Sequence, residues 1–339
     1  MKLFPFPQVK NSHMRHRIFN YLKYQENIKQ FSLNSLRAYG KDLQFLTPDQ
    51  PPIHPDDLAK TPPVAENPRP TSRIDAQNLL TLIRKEQNGW TKLSPATKNR
   101  KAACLKSFSH YLYDQRIIDT DIAIHIHCPK VPKKIPHFIS VDEVIAIIEN
   151  LKNQEMEILR SQKSSEQKSS WLKENFRTAA LFSLLYGCGL RVSEACQIKR
   201  NQIQFSQKIL RIKGKGGKER LTVMTDFTIT ALKKLLRATT DPDGDSIWGA
   251  TALNTRTAYE MIRQLGRRTE LQSDLHPHAL RHSFATHLLS SGANLRTLQE
   301  LLGHSSLTAT EKYTHLSLGQ LAQTMNQFHP FGSKVKRSR

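Results

Sequence analysis

Two stretches, TAALFSLLYGCGLRVSEA (178–195) and ILRIKGKGGKERLTVM (209–224), decide how this chain is read. The first is an apolar helix ended by Gly187 and Gly189, with Arg191 directly after the turn. The second is a hairpin pattern. Leu210 and Ile212 alternate with polar residues before GlyLysGlyGly, and Leu221 and Val223 alternate after it. From Pro277 onward the chain turns helical again, with Leu280, Phe284 and Leu288 at four-residue steps and Gly292 at the end. Asn294 then caps a helix carrying Leu298, Leu301 and Leu302, ended by Gly303. A mainly helical half with one small antiparallel sheet is expected.

Upstream, residues 14–46 and 72–116 read as helices. Leu36, Tyr39, Leu43 and Leu46 form one stripe. Ser94 caps a second helix with Pro95 at its first position and Ala102, Leu105, Phe108 and Leu112 on one face. Lys98, Arg100, Lys101 and Lys106 lie on or beside the opposite face, which gives this all-helical part a basic side. Residues 48–70 hold eight of the chain's 17 prolines and read as an extended loop. CPKVPKKIPHFIS (128–140) reads as a linker ending at Ser140, an N-cap with Glu143 in the capping-box position. SQKSSEQKSS (161–170) reads as a polar surface loop.

The 339 residues carry 51 Lys+Arg against 29 Asp+Glu, a net charge of +22. Divided after Pro136, each part carries +11, so both halves suit a polyanionic partner. Excess positive charge is a poor route to solubility, and no segment reads as a basic amphipathic membrane anchor, so nucleic acid is favoured. No run of apolar residues reaches membrane-spanning length, and the N-terminus lacks a secretory pattern. Four cysteines in no CxxC pair argue against a zinc ribbon or a disulfide scaffold. A reduced, cytoplasmic protein is the expectation.

Six side chains stand where chemistry can occur: Arg191, Lys215 at the hairpin tip, His278, Arg281, His304 and Tyr313. Arginine forks match two phosphate oxygens, tyrosine can attack phosphorus, and lysine or histidine can move protons. With no Asp/Glu cluster for two metal ions, the set favours covalent phosphoryl transfer without metal or other cofactor. Singly, each residue has a duller explanation. Arg191 can be a cap, Lys215 a solvated tip, Tyr313 a half-buried tyrosine, and His282, His287 and His315 structural.

Their order and wording carry more. LLYGCGLRVSEA (184–195), GKGGKER (214–220), HPHALRHSFATHLL (276–289) and LLGHSSLTATEKYTH (301–315) resemble the tyrosine recombinase family, most closely its bacterial Xer type. SLNSLRAYGKDL (32–43) and SPATKNR (94–100) resemble its core-binding domain more weakly. The resemblance implies a two-domain clamp around DNA. An N-terminal all-α, SAM-like core-binding domain spans 14–127 and a linker 128–139. A mainly α catalytic domain with a small antiparallel sheet spans 140–330, and a basic tail 331–339.

It further implies that Tyr313 is the nucleophile and forms a 3′-phosphotyrosyl bond. Arg191 and Arg281 hold non-bridging oxygens, His304 adds a hydrogen bond, Lys215 protonates the leaving 5′-oxygen and His278 assists at the tyrosine. Glu194 orients the arginines. Neither metal nor ATP is required. The partners implied are double-stranded recombination sites, a homo- or heterotetramer on DNA, a second Xer-type recombinase and a DNA translocase, at the nucleoid. Leu318, Leu321, Met325 and Phe328 form an apolar stripe that either packs on its own domain or passes to a neighbouring protomer in a cyclic exchange.

Some features depart from the Xer pattern: AspThrAspIleAla (119–123) where the family often has AsnPro, the long Pro-rich stretch, and the basic tail. Chromosome dimer resolution is therefore weighed against an integrase or resolvase of a mobile element. A type IB topoisomerase and a non-catalytic DNA-binding protein of the same fold are the further alternatives.

Overall fold

The computed structural model describes residues 11–29, 31–60, 73–131, 138–213, 219–239, 244–271, 274–302, 322–327 and 329–330. The chain separates into two compact units, Met1–Lys134 and Ile135–Arg339.

The first unit is helical: α1 (Asn11–Asn27), α2 (Leu33–Asp42), α3 (Pro55–Lys60), α4 (Ala76–Asn88) and α5 (Pro95–Asp114). Ser94 caps α5 by accepting from the Thr97 amide, and Pro95 takes the first turn, where no amide hydrogen is needed. Ala102, Leu105, Phe108 and Leu112 are buried, and they meet Tyr21 and Leu22 of α1 and Leu36 of α2 in one core.

The region read as helix over 14–46 breaks between α1 and α2, where Ser32 caps a new start by accepting from the Ser35 amide. The Pro-rich stretch is not wholly extended. Pro55 opens α3, where a proline costs nothing, and no further proline follows until Pro62, which leaves room for one and a half turns. Ile53 and Leu58 bury there.

The basic side of α5 is also thinner than its sequence suggests. Arg100 grips Asp42 with both terminal nitrogens, and Lys101 lies 3.0 Å from Glu86 and over the Trp90 ring. Two of its four cations thus tie helices together inside the unit.

The second unit contains α6 (Val141–Arg160), α7 (Ser165–Phe182), α8 (Val192–Cys196), α9 (Asp226–Ala238), α10 (Thr255–Arg268), α11 (Pro277–Ser290) and α12 (Leu295–Leu302). A three-stranded antiparallel sheet, ordered β1 (Ile203–Gln204), β2 (Ile209–Lys213), β3 (Glu219–Val223), stands among them. Ser140 and Glu143 form a complete capping box at the start of α6. Residues 165–170 belong to α7 and are not loop, because Ser164 caps that helix by accepting from the Gln167 amide. A polar composition does not prevent a helix whose first turns face water.

The apolar end of α7 packs on α9 and α6 and forms the centre of the core with Leu184, Leu185 and Tyr186. Leu280, Phe284 and Leu288 of α11 are fully buried against it. Met325 is also buried in this core, and His329 lies fully buried beside the rings of Tyr186 and Phe284. Of the C-terminal apolar stripe, Met325 therefore packs on its own domain, whereas Leu318, Leu321 and Phe328 lie outside the described residues. Among the described residues no helix is long and apolar enough to cross a membrane.

In the hairpin, Leu210 pairs with Thr222 and Ile212 with Arg220. Directly paired residues share a face, so Leu221 and Val223 fall on the side opposite Leu210 and Ile212. On the face of Leu210 and Ile212, β3 presents polar residues, Arg220 and Thr222, both buried, while Val223 on its other face is buried in the core as well.

Gly189 adopts φ +62, and a Cβ there would stand 2.6 Å from atoms of the Phe284 ring. Gly189→Ala combines left-handed strain with overpacking and is expected to cost about 2 kcal/mol or more. A fall in the urea midpoint at unchanged slope checks this; an unchanged midpoint refutes it.

Candidate active site

The end of α7 aims the first arginine. Its last turn widens into a π turn, Ser183–Gly187, and the Leu190 amide returns to the Leu184 carbonyl at 3.1 Å. After Gly189 reverses the chain, Arg191 becomes the N-cap of α8. Glu194, three residues on, reaches back. Its Oε2 accepts from the Arg191 amide at 2.8 Å and its Oε1 from the Arg191 guanidinium at 2.9 Å.

The same carboxylate receives a second arginine from the sheet. Arg220 donates through both terminal nitrogens, at 2.8 Å to each Glu194 oxygen. A third comes from α11. Arg281 lies 3.9 Å from Glu194 and donates to the Gly189 carbonyl and, at 2.7 Å, to the Leu302 carbonyl. Those two bonds fix its fork between the turn before Arg191 and the end of α12.

Three guanidiniums thus surround one carboxylate, and positive charge is in excess. The Glu194 and Arg220 side chains are only 6% and 8% exposed, whereas 41% of the Arg191 side chain is exposed, so the cluster opens to solvent at Arg191. Burial alone would raise the Glu194 pKa. The bonds and charge of Arg220, with those of Arg191, outweigh it and bring the carboxyl to about 2. Burial, and then repulsion from Arg191 and Arg220, lower Arg281 to about 10, which still leaves it charged at neutral pH. Arginines held in place around a surplus of positive charge suit an anion bearing paired oxygens, such as a phosphodiester.

Of the residues singled out in the sequence, the fold brings Arg191, Glu194 and Arg281 together. His278 is exposed in the first turn of α11, one turn before Arg281, with its ring 6.3 Å from that of Tyr259. Lys215, His304 and Tyr313 lie outside the described residues. His287 is structural: its Nδ1 lies 2.8 Å from the buried Tyr186 hydroxyl. Burial lowers the His287 pKa and pushes that of His329 to about 3, which keeps His329 neutral.

Arg220 is the residue that sequence reasoning passed over. It closes the quoted GKGGKER string, yet is given no role there. Its signal lies in the register, because pairing with the inward-facing Ile212 turns it into the protein.

The depressed carboxyl makes an acid-dependence prediction. Its folded value lies below the unfolded value of about 4.3, so its contribution is full above that pH and is lost as pH falls towards 2. Glu194→Gln should remove this part of the acid dependence. It should also destabilise the protein by about 3–5 kcal/mol at pH 7, since it leaves buried guanidiniums unpaired. Urea titrations between pH 2 and 7 check both expectations; identical slopes of stability against pH in the two proteins would refute the first.

The model of the phage integrase family matches residues 141–319. Tyrosine recombinase XerC of Myxococcus xanthus is 36% identical over 248 residues, 70% of this chain and 77% of that protein. Tyrosine recombinase XerC of Chlamydia caviae is 32% identical over 329 residues, 92% of this chain and 98% of that protein. The crystal structure of XerH bound to a palindromic difH substrate, a post-cleavage complex, aligns with a TM-score of 0.57. It is 19% identical and covers 95% of this chain and 98% of that one, which is a likeness of fold. With the arginine cluster seated in the region that the family model matches, the chain belongs to the phage integrase family and is a tyrosine site-specific recombinase.

Proposed function

We propose that this recombinase cuts and rejoins DNA through Tyr313 and serves chromosome dimer resolution in the manner of Xer proteins. The observation that carries the chemistry is the cluster in which Glu194 and Arg220 back Arg191 and Arg281, a preformed seat for a phosphodiester at the latter two. The near full-length similarity to an XerC protein supports the Xer role over a mobile-element role.

In this reading the Tyr313 hydroxyl attacks the scissile phosphorus, and its proton leaves with the help of His278. Arg191 and Arg281 hold the non-bridging oxygens, with His304 as a further donor. Charge on those oxygens shifts during transfer, and donors that need no reorganisation lower the barrier. The bond from phosphorus to the 5′-oxygen breaks, and Lys215 protonates that oxygen. The products are a 3′-phosphotyrosyl protein and a free 5′-hydroxyl. The 5′-hydroxyl of a partner strand then attacks the phosphotyrosine and releases Tyr313. One phosphodiester is exchanged for another, so neither ATP nor a metal ion is consumed.

Residues 140–330 are the proposed catalytic domain and 14–127 the core-binding domain, closing on duplex DNA as a clamp in the nucleoid. The charge of +11 on each half supports contact by both. Exchange between two duplexes needs four nucleophiles, hence a tetramer on DNA, of one recombinase or two, with a translocase as its regulator.

Nicked duplexes carrying candidate sites from the chromosome terminus and from any adjoining mobile element test the proposal. Wild-type protein should give a covalent protein–DNA band on a denaturing gel without added metal, and Tyr313→Phe should give none. A band that survives in Tyr313→Phe would sink the assignment of the nucleophile. Trapping only on mobile-element sites would overturn the chromosomal role.

A further inference from the structure

Beyond the arginines that hold phosphate, the hairpin itself is locked to the site by a residue of its own. Arg220 stands in β3 one position from Glu219, which pairs with Lys213 at the end of the ladder; in the sequence Lys215 falls between these two paired residues. From this strand Arg220 makes its two-bond grip on Glu194, the carboxylate that also holds Arg191. Two residues on, and on the same face, the Thr222 hydroxyl lies 3.5 Å from the Cys188 carbonyl in the turn leading to Arg191. One face of β3 is therefore bound at two points to the segment that presents the first arginine.

Charge alone does not account for this arrangement, since Arg191 and Arg281 also stand beside Glu194. A planar fork matched to both carboxylate oxygens adds orientation, which a point charge would not.

We propose that Arg220 is a positioning residue that seats the Lys215 hairpin and the Arg191 turn as one unit, with Glu194 as the shared joint. Phosphate holding and leaving-group protonation are then aligned by the same carboxylate. The inference rests on the reading of Lys215 as the proton donor.

The test separates protonation from phosphate holding by changing the leaving atom. In a nicked site whose scissile phosphate carries sulfur in place of the bridging 5′-oxygen, Tyr313 attacks, the P–S bond breaks, and the thiolate departs without needing a proton. Arg220→Lys keeps the charge and loses the fork. It should cleave the ordinary site about a hundredfold more slowly than wild type, in the range of a lost general acid. On the sulfur site it should come within about tenfold of wild type, as should Lys215→Ala. Glu194→Gln, which loosens the arginines themselves, should remain slow on both.

Arg220→Gln serves as a second variant, and cleavage of the sulfur site reports that either protein is folded. An equal loss on both sites would overturn the proposal and make Arg220 a structural or phosphate-holding residue, as would no loss on either. Failure of the sulfur site to rescue Lys215→Ala, while wild type cleaves and Tyr313→Phe does not, would overturn the underlying role of Lys215 instead.

Discussion

The Glu194 carboxylate facing three arginines is the interaction on which the rest of the second unit turns. A lone buried carboxylate would be costly, and guanidiniums crowded without it would repel one another. Each side makes the other tolerable. The price is that α8, β3 and α11, far apart in sequence, must meet at one point, and the surrounding fold serves that meeting. The π turn and Gly189 bring Arg191 round, the strand register turns Arg220 inward, and the carbonyls of Gly189 and Leu302 hold Arg281. What remains open at Arg191 is an arrangement of charge that needs little rearrangement when an anion arrives.

Local chemistry was legible in the sequence wherever one residue suffices to specify a backbone state. Ser94 with Pro95, and Ser140 with Glu143, mark helix starts that the structure keeps. Leu280, Phe284 and Leu288 mark a buried face that it also keeps. Composition misled where it was taken for conformation. The prolines of 48–70 admit α3 because Pro55 sits at its first turn, and the serines and lysines of 165–170 form a solvated helical start.

Long-range pairing was the part that could not be read. Nothing local says that Arg100 finds Asp42, that Lys101 finds Glu86, or that Arg220 finds Glu194. Those partners are separated by tens of residues or less, yet they meet only through tertiary packing. For the site, Arg191, Glu194 and Arg281 were legible through the wording of their motifs, and the geometry joins them. Arg220 needed the ladder register, which in turn needs both strands of the hairpin.

His329 is wholly enclosed, with its ring tilted against those of Tyr186 and Phe284, while Phe284 lies against Gly189. His329 is thus core material. Cutting the protein back past that position would open a void beneath the turn that carries Arg191, much as a large-to-small substitution would. A shortened protein that loses activity would therefore be reporting a damaged interior rather than a missing tail.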